Sequence, residues 1–311
     1  MKVLITGVHG FVGSNLVPIL SRNNEIYGLD IIAPKVEGVV ETFSWQDLDN
    51  NKIPEMDAII HLAGKAHDTK KQADAAIYFE INTGLTKKIY DYFCKSSAQN
   101  FVFFSSVKAA ADSVVGDMLF EDVVPQPKGP YGESKIEAEK YIQSQGHPQG
   151  KSVYILRPCM IHGPGNKGNL NLLYSVVKKG IPWPLGSFDN LRSFCSVDNL
   201  IFIIESLLGK DVESGIYHIA DDDPMSTNRL IELICESEQK HARIWHLSPS
   251  FVRCCAKCGT FLHLPLNTER LQKLTENYVV SNAKIKKAVG VNELPMRAED
   301  GIMKTLKSFK I

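Results

Sequence analysis

The sequence predicts an α/β fold in which a doubly wound parallel sheet is joined by a smaller C-terminal α/β region. Three observations carry that expectation. Lys2–Thr6 is a short β-branched run that opens directly into Gly7-x-x-Gly10-x-x-Gly13 and then into apolar residues at helical spacing through Leu20. Strand-like and helix-like stretches alternate along the chain, the pattern of a parallel sheet covered on both faces. A length of 311 residues suffices to bury a large core.

The elements follow in order. After the first strand and its helix, Glu25–Leu29 is a second strand that ends in Asp30, and 38–43 reads as a third. Met56–Gly64 is a fourth, closing on Leu62, Ala63 and Gly64, small enough for a bound dinucleotide to approach. A long helix is expected over Ala75–Ala98, and Phe101–Ser106 is a fifth strand with the hydroxyls of Ser105 and Ser106 at its carboxyl end. A helix from Tyr131 to about Ser144 and a sixth strand over Ser152–Leu156 complete this half. Beyond Arg157-Pro158 the texture turns loop-rich, at Gly163–Gly168 and Pro182–Gly186, as suits a cap above the carboxyl edge of the sheet. Gly215–Ala220 looks like a late strand that rejoins the sheet, and there is no internal repeat.

The amino-terminal loop has the spacing and context of a dinucleotide site. Its glycines permit a tight turn, close approach of a pyrophosphate and close helix-on-strand packing. The first helical residues, Phe11 and Val12, offer backbone N–H groups at the positive end of the helix. Asp30 stands about 20 residues further on, where an acid can accept from the adenosine ribose. It would repel a 2′-phosphate, and no arginine follows it, so NAD is expected rather than NADP.

Tyr131-Gly132-Glu133-Ser134-Lys135 supplies candidate chemistry. A phenol and an ammonium four residues apart share one helix face. An adjacent cation typically lowers a phenol pKa by roughly 1–3 units, toward the range of a working acid/base.

Composition excludes several other classes. Lysine plus arginine and aspartate plus glutamate each number 35, so no net field points to nucleic acid or an anionic membrane. No apolar run reaches the ~20 residues of a membrane span, and the first strand occupies the place of a signal peptide, so a cytosolic protein is expected. Seven scattered cysteines argue against a disulfide framework. Cys254, Cys255 and Cys258, with His263 nearby, form a single Cys-x-x-Cys without a second pair, so no metal is expected. Ser248–His263 reads instead as a packed helix, with Phe251, Val252, Cys255, Phe261 and Leu262 as apolar contacts and its thiols buried or half-buried. Arg253 and Lys257 beside them would also suit a membrane-surface face, but the segment is short for that.

These motifs in order resemble the extended short-chain dehydrogenase/reductases, specifically the NAD-dependent epimerase/dehydratase family acting on nucleotide sugars. The matching pieces run from Thr6-Gly7 through Asp30, His61–Gly64, Asn82, Ser105-Ser106, Tyr131-x-x-x-Lys135 and Leu156-Arg157-Pro158. They continue through His162–Gly165, Arg192-Ser193-Phe194, Val197-Asp198 and Val279–Asn282. The resemblance implies a Rossmann-type cofactor domain over 1–157, with 194–222 returning to its sheet, and a substrate-binding region from 158–193 and 223–311. It implies Tyr131 as the acid/base on the sugar hydroxyl, Lys135 as the nicotinamide-ribose ligand that lowers the tyrosine pKa, and Ser106 as a partner of the same sugar oxygen. Gly7, Gly10, Phe11, Val12, Gly13 and Asp30 would hold NAD together with the Leu62–Gly64 turn, Asn82, Ser105, Tyr131 and Lys135. Arg192 would clamp the substrate pyrophosphate, and Asn169 or Asn171 would contact a UDP-linked nucleotide. A homodimer through 75–98 and 131–144 is also implied.

Departures from the family pattern narrow the reaction. Val107 and Lys108 stand where dehydratases carry an acidic pair and where 3,5-epimerases carry a cysteine. His162 replaces a usual tyrosine and reads as a packing residue, and Lys108 reads as a solvated lysine. Hydride chemistry at carbon 4 of a nucleotide-linked hexose remains. Asp30 favours a 4-epimerase that keeps NAD bound. The Ser105–Lys108 and His61–His67 textures keep a 4-keto-6-deoxy-sugar reductase of surface-polysaccharide synthesis as the alternative. A cofactor-sensing regulator is disfavoured because Tyr131, Lys135, Ser106 and Arg192 are all retained.

Overall fold

The computed structural model describes residues 1–66, 74–146, 148–262 and 267–310. Its first half comprises β1 (Lys2–Thr6), α1 (Phe11–Leu20), β2 (Glu25–Leu29), β3 (Val39–Phe43), α2 (Trp45–Asp49) and β4 (Ala58–His61). Next come α3 (Ala75–Tyr78), a π-helical stretch (Phe79–Gly84), α4 (Leu85–Lys95), β5 (Asn100–Phe104), α5 (Val107–Ala110), α6 (Pro130–Ser144) and β6 (Ser152–Pro158). The remainder begins with β7 (Met160–His162), α7 (Asn169–Lys178), β8 (Leu191–Arg192), β9 (Phe194–Ser196), α8 (Val197–Gly209) and β10 (Gly215–Ile219). It ends with β11 (Met225–Ser226), α9 (Thr227–Ser237), α10 (Pro249–Phe261), α11 (Thr268–Thr275), α12 (Ala283–Val289) and α13 (Ala298–Ser308).

Seven parallel strands form the main sheet in the order β3-β2-β1-β4-β5-β6-β10. The chain winds outward from β1 to β3, then crosses back to β4 and winds the other way. The crevice between β1 and β4 is therefore the switch point, where ligands bind such sheets. Alternation along β1 sorts the core: Val3 and Ile5 pack with residues of α1, α8 and α12, whereas Leu4 packs on the opposite face with Ile89, Phe93, Ala138 and Ile142. A third cluster joins α7, α9 and α13 through Leu170, Leu230 and Ile302, and a small fourth joins α10 and α11 through Val252, Ala256 and Leu271. β10 rejoins the sheet beside β6, as the sequence predicts.

Two expectations need correction. The helix expected over 75–98 is interrupted by the π-helical stretch and ends at Lys95. α10 packs through Val252, Ala256 and Gly259; Phe251, Phe261 and Leu262 are exposed, and so are Cys254, Cys255 and Cys258. The small residues of that helix face the protein because α11 lies close against it, which leaves the larger apolar side chains outside. His67 and His263 lie outside the described residues.

Candidate active site at the carboxyl edge of the sheet

The loop after β1 is shaped for a phosphate. Gly7 has φ +68°, and a Cβ there would come within 2.9 Å of the Ala63 backbone, so the turn after β4 presses directly on it. A Cβ on Gly13 would lie 2.2 Å from the Val8 carbonyl oxygen, so α1 is seated hard against the loop. Gly10 starts α1 without a side-chain cap, leaving the first-turn N–H groups, those of Phe11 and Val12 among them, for an anion. Asp30 lies at the same loop: its carboxylate accepts from His9 N at 3.1 Å and from Ile31 N at 2.7 Å. Asn15 ties α1 to the second half of the chain by donating to the Pro164 carbonyl at 2.9 Å. These residues fit a dinucleotide.

The chemistry sits two strands away on the same edge. Pro130 begins α6, and a Cβ on Gly132 would lie 2.5 Å from the Lys108 carbonyl oxygen. A glycine is thus what lets α6 close on α5 and sets Tyr131 near Ser106, which favours the ionised phenol. Ser106 also caps α5 by accepting from Lys108 N at 3.2 Å. Tyr78 meets the Tyr131 ring edge-on, with centroids 6.4 Å apart.

The electrostatics differ from the sequence expectation. Burial raises the Tyr131 hydroxyl above its usual value of 10; the Ser106 hydrogen bond opposes that rise and Tyr78 adds to it. Lys135 does not supply the expected lowering, because its ammonium donates to the Phe104 carbonyl at 2.8 Å and lies 5.1 Å from the Phe103 ring centroid. Burial pulls Lys135 itself down to about 8, with Glu139 opposing. The pair is thus a desolvated acid/base beside a desolvated cation, the sort of perturbation that marks functional sites.

Asn82 acts as a positioning residue beneath them. Its carboxamide oxygen accepts from Lys65 N at 2.7 Å, and its nitrogen donates to Ser134 Oγ at 2.9 Å. Ser134 in turn donates to the Tyr131 carbonyl at 2.9 Å. The π-helical stretch holds Asn82 fully buried at this junction. From its backbone a chain of contacts runs through Thr86 and His61 to Thr6, which accepts from Ala63 N at 3.0 Å. Burial, reinforced by Lys135, holds His61 well below the usual histidine range, so it serves as a neutral link.

The other expected residues divide. Ser105 donates its hydroxyl proton to Glu139, whose carboxylate is paired with Arg157 at 2.6 Å, both ions being buried. Its side chain therefore supports α6 from within. Lys108 is held by Asp112 at 3.1 Å and lies over the Tyr278 ring, instead of standing free in solvent. His162 is a packing residue, sharing hydrogen bonds with Thr305 and Asp221. Arg192 contacts the Lys273 carbonyl and lies 3.6 Å from Glu276, yet its Nε is buried without a partner, an open donor for an anionic group. Asn169 is exposed, whereas Asn171 keeps a buried carboxamide oxygen without a partner and is the better placed of the two to receive a ligand hydrogen bond. Sequence reasoning missed Gly132, Ser134, Glu139 and Thr86. Ser134 and Gly132 lay in plain view inside the Tyr131–Lys135 motif.

A glycine loop at the switch point, with a Tyr-x-x-x-Lys helix and a serine on the same edge, defines a short-chain dehydrogenase/reductase of the extended type. Residues 3–220 match the NAD dependent epimerase/dehydratase family, and the chain belongs to it. A UDP-glucose 4-epimerase of Vibrio cholerae is 27% identical over 321 residues, covering 99% of this chain and 95% of that protein. A GDP-6-deoxy-D-mannose reductase of Pseudomonas aeruginosa is 26% identical, covering 78% of this chain and 82% of its own. The solved structure of a UDP-glucose 4-epimerase of Thermus thermophilus complexed with NAD shares the fold, with TM-score 0.76, 23% identity, and coverage of 100% of this chain and 99% of that one.

Proposed function

We propose that the protein is a nucleotide-sugar 4-epimerase that acts on a UDP-hexose or UDP-N-acetylhexosamine with NAD bound throughout. The observation that carries this reading is the placement of the Tyr131 phenol near Ser106, which favours its ionised form, with Lys135 buried one turn further along the same helix, on the edge that also bears the glycine loop and Asp30. Gly7, Gly10, Phe11, Val12, Gly13 and Asp30 hold the pyrophosphate and adenosine ribose, with Leu62, Ala63 and Gly64 closing over the cleft. Bound NAD supplies the acceptor for a hydride from carbon 4. Tyr131 takes the proton of the hydroxyl on that carbon and later returns it; Ser106 holds the same oxygen through both halves. The Lys135 ammonium, which donates to the Phe104 carbonyl, would hold the nicotinamide ribose. Arg192, through its open Nε, grips the diphosphate, and Asn171 or Asn169 reaches the nucleotide. Residues 1–157 and 194–222 carry the cofactor in this reading; 158–193 and 223–311 carry the substrate. The enzyme works in the cytoplasm as a homodimer through α4 and α6 and serves cell-surface polysaccharide synthesis.

The test is turnover of UDP-glucose and UDP-N-acetylglucosamine, followed by sugar product and by absorbance at the NADH band. Formation of the galacto sugar with no net change in NADH is expected. Stoichiometric loss of NADH or NADPH with a 4-keto sugar would instead support the reductase of a nucleotide 4-keto-6-deoxy sugar, a reading favoured by the Pseudomonas aeruginosa relative. NAD binding without turnover of either kind would leave only a cofactor-sensing role.

A further inference from the structure

We propose that α10 and the segment before it form a membrane-docking surface that binds the headgroup region of an anionic bilayer. The helix is divided into three stripes. Val252, Ala256 and Gly259 are buried against the protein. Phe251, Cys254, Cys255, Cys258 and Leu262 recur at three- and four-residue steps and line a second face, which is exposed. Arg253 and Lys257 form a third stripe one turn apart, both exposed. Phe251 is 59% exposed, Leu262 60% and the flanking Phe261 83%, and Trp245 just before the helix is 55% exposed. A helix with an apolar stripe, a basic stripe and aromatic residues at its ends is the form that lies in a bilayer interface. No helix among the described residues is long and apolar enough to cross a membrane, so the surface lies on the bilayer.

Charge selects the occupant. Between Gln239 and Thr268 the chain carries Lys240, Arg243, Arg253 and Lys257 and no aspartate or glutamate. The whole chain has 35 bases and 35 acids, so the remainder holds 31 bases against 35 acids and carries the opposite sign. A partner that is apolar within and negative at its rim matches this patch, and an anionic lipid surface is both. The patch is also coupled to the site: α10 packs on α11 through Val252, Ala256 and Leu271, and the α11 residue Lys273 presents its carbonyl to Arg192. Docking would therefore set the Arg192 side of the molecule toward the bilayer. The proposal stands whichever reaction the site performs.

The full chain is tested by flotation with phosphatidylglycerol/phosphatidylcholine vesicles and with phosphatidylcholine vesicles alone. Binding to the anionic vesicles is expected to exceed binding to the neutral ones about tenfold and to fall as salt is raised. Replacing Phe251, Phe261 and Leu262 together by serine should lower the bound fraction about tenfold. Replacing Arg253 and Lys257 by serine should abolish the preference for anionic lipid. Circular dichroism and the urea midpoint accompany each flotation, and neither exposed-residue variant should move them. Wild-type protein that floats with neither vesicle, or a serine variant that floats as wild type does, would overturn the proposal. So would a change of oligomeric state in the apolar variant with vesicle binding intact, because the patch would then be a contact between copies of this chain.

Discussion

α6 and α10 are amphipathic helices of 15 and 13 residues that depart from ordinary burial in opposite directions. α6 draws Lys135 and Glu139 into the interior, whereas α10 leaves Phe251, Phe261 and Leu262 in solvent. Buried charges and exposed apolar groups are each the informative exception to the usual sorting. In α6 the exception has internal partners: Glu139 meets Arg157 and Ser105, and Lys135 meets the Phe104 carbonyl. In α10 nothing within the described chain covers the exposed stripe. The difference teaches that α6 is completed by the fold itself, whereas the exposed stripe of α10 has no cover among the described residues.

The sharpest way to break the comparison is to unpair α6. Glu139→Ala should leave the Arg157 guanidinium buried without its carboxylate and lower stability by about 3–5 kcal/mol in urea denaturation. A loss below about 1 kcal/mol would mean that the pair is not what holds α6 to β6. Gly132→Ala should cost about 1–3 kcal/mol, because its methyl would meet the Lys108 carbonyl, and should lower turnover by moving Tyr131 from Ser106. An unchanged urea midpoint and turnover would show that α6 and α5 have slack.

A smaller effect should appear as pH dependence. Burial, with Arg157 nearby, lowers the His218 pKa from 6.5 to about 4. Between those values the unfolded chain takes up a proton that the native protein refuses, so stability falls as pH is lowered through that window. His218→Gln should flatten the slope of the urea midpoint between pH 6.5 and about 4; an unaltered slope would place the titration elsewhere. The smallest effect belongs to α10. Its triple serine variant should change stability by no more than about 0.5 kcal/mol, as expected for surface positions, and a larger loss would show that the stripe is covered after all.

The parts of the molecule that are legible in sequence depend on local spacing. The glycine loop, Asp30, and the four-residue step from Tyr131 to Lys135 are such features, and the parallel sheet follows from their context, whereas its strand order comes from the structure. What escapes depends on partners distant in the chain. Ser105, Glu139 and Arg157 meet across separations of 34 and 18 residues, and no periodicity announces them. The π-helical turn at Asn82 keeps the apolar pattern of an α-helix while altering its hydrogen bonds, so 75–98 reads as one regular helix. The direction of Lys135 is hidden because a helix face fixes where a side chain starts and not where a long one ends. In α10 apolar content does not mean burial, and only the position of α11 shows which face is covered.

The most direct test of the account is Tyr131→Phe, assayed for NAD affinity and for turnover of the epimerase substrate together. The phenol oxygen is removed while the ring, its contact with Tyr78 and the cofactor loop remain. NAD affinity should stay at the wild-type level while turnover drops by about 10² or more. Turnover near that of wild type would show that the proton moves through another group and would contradict the assignment of Tyr131.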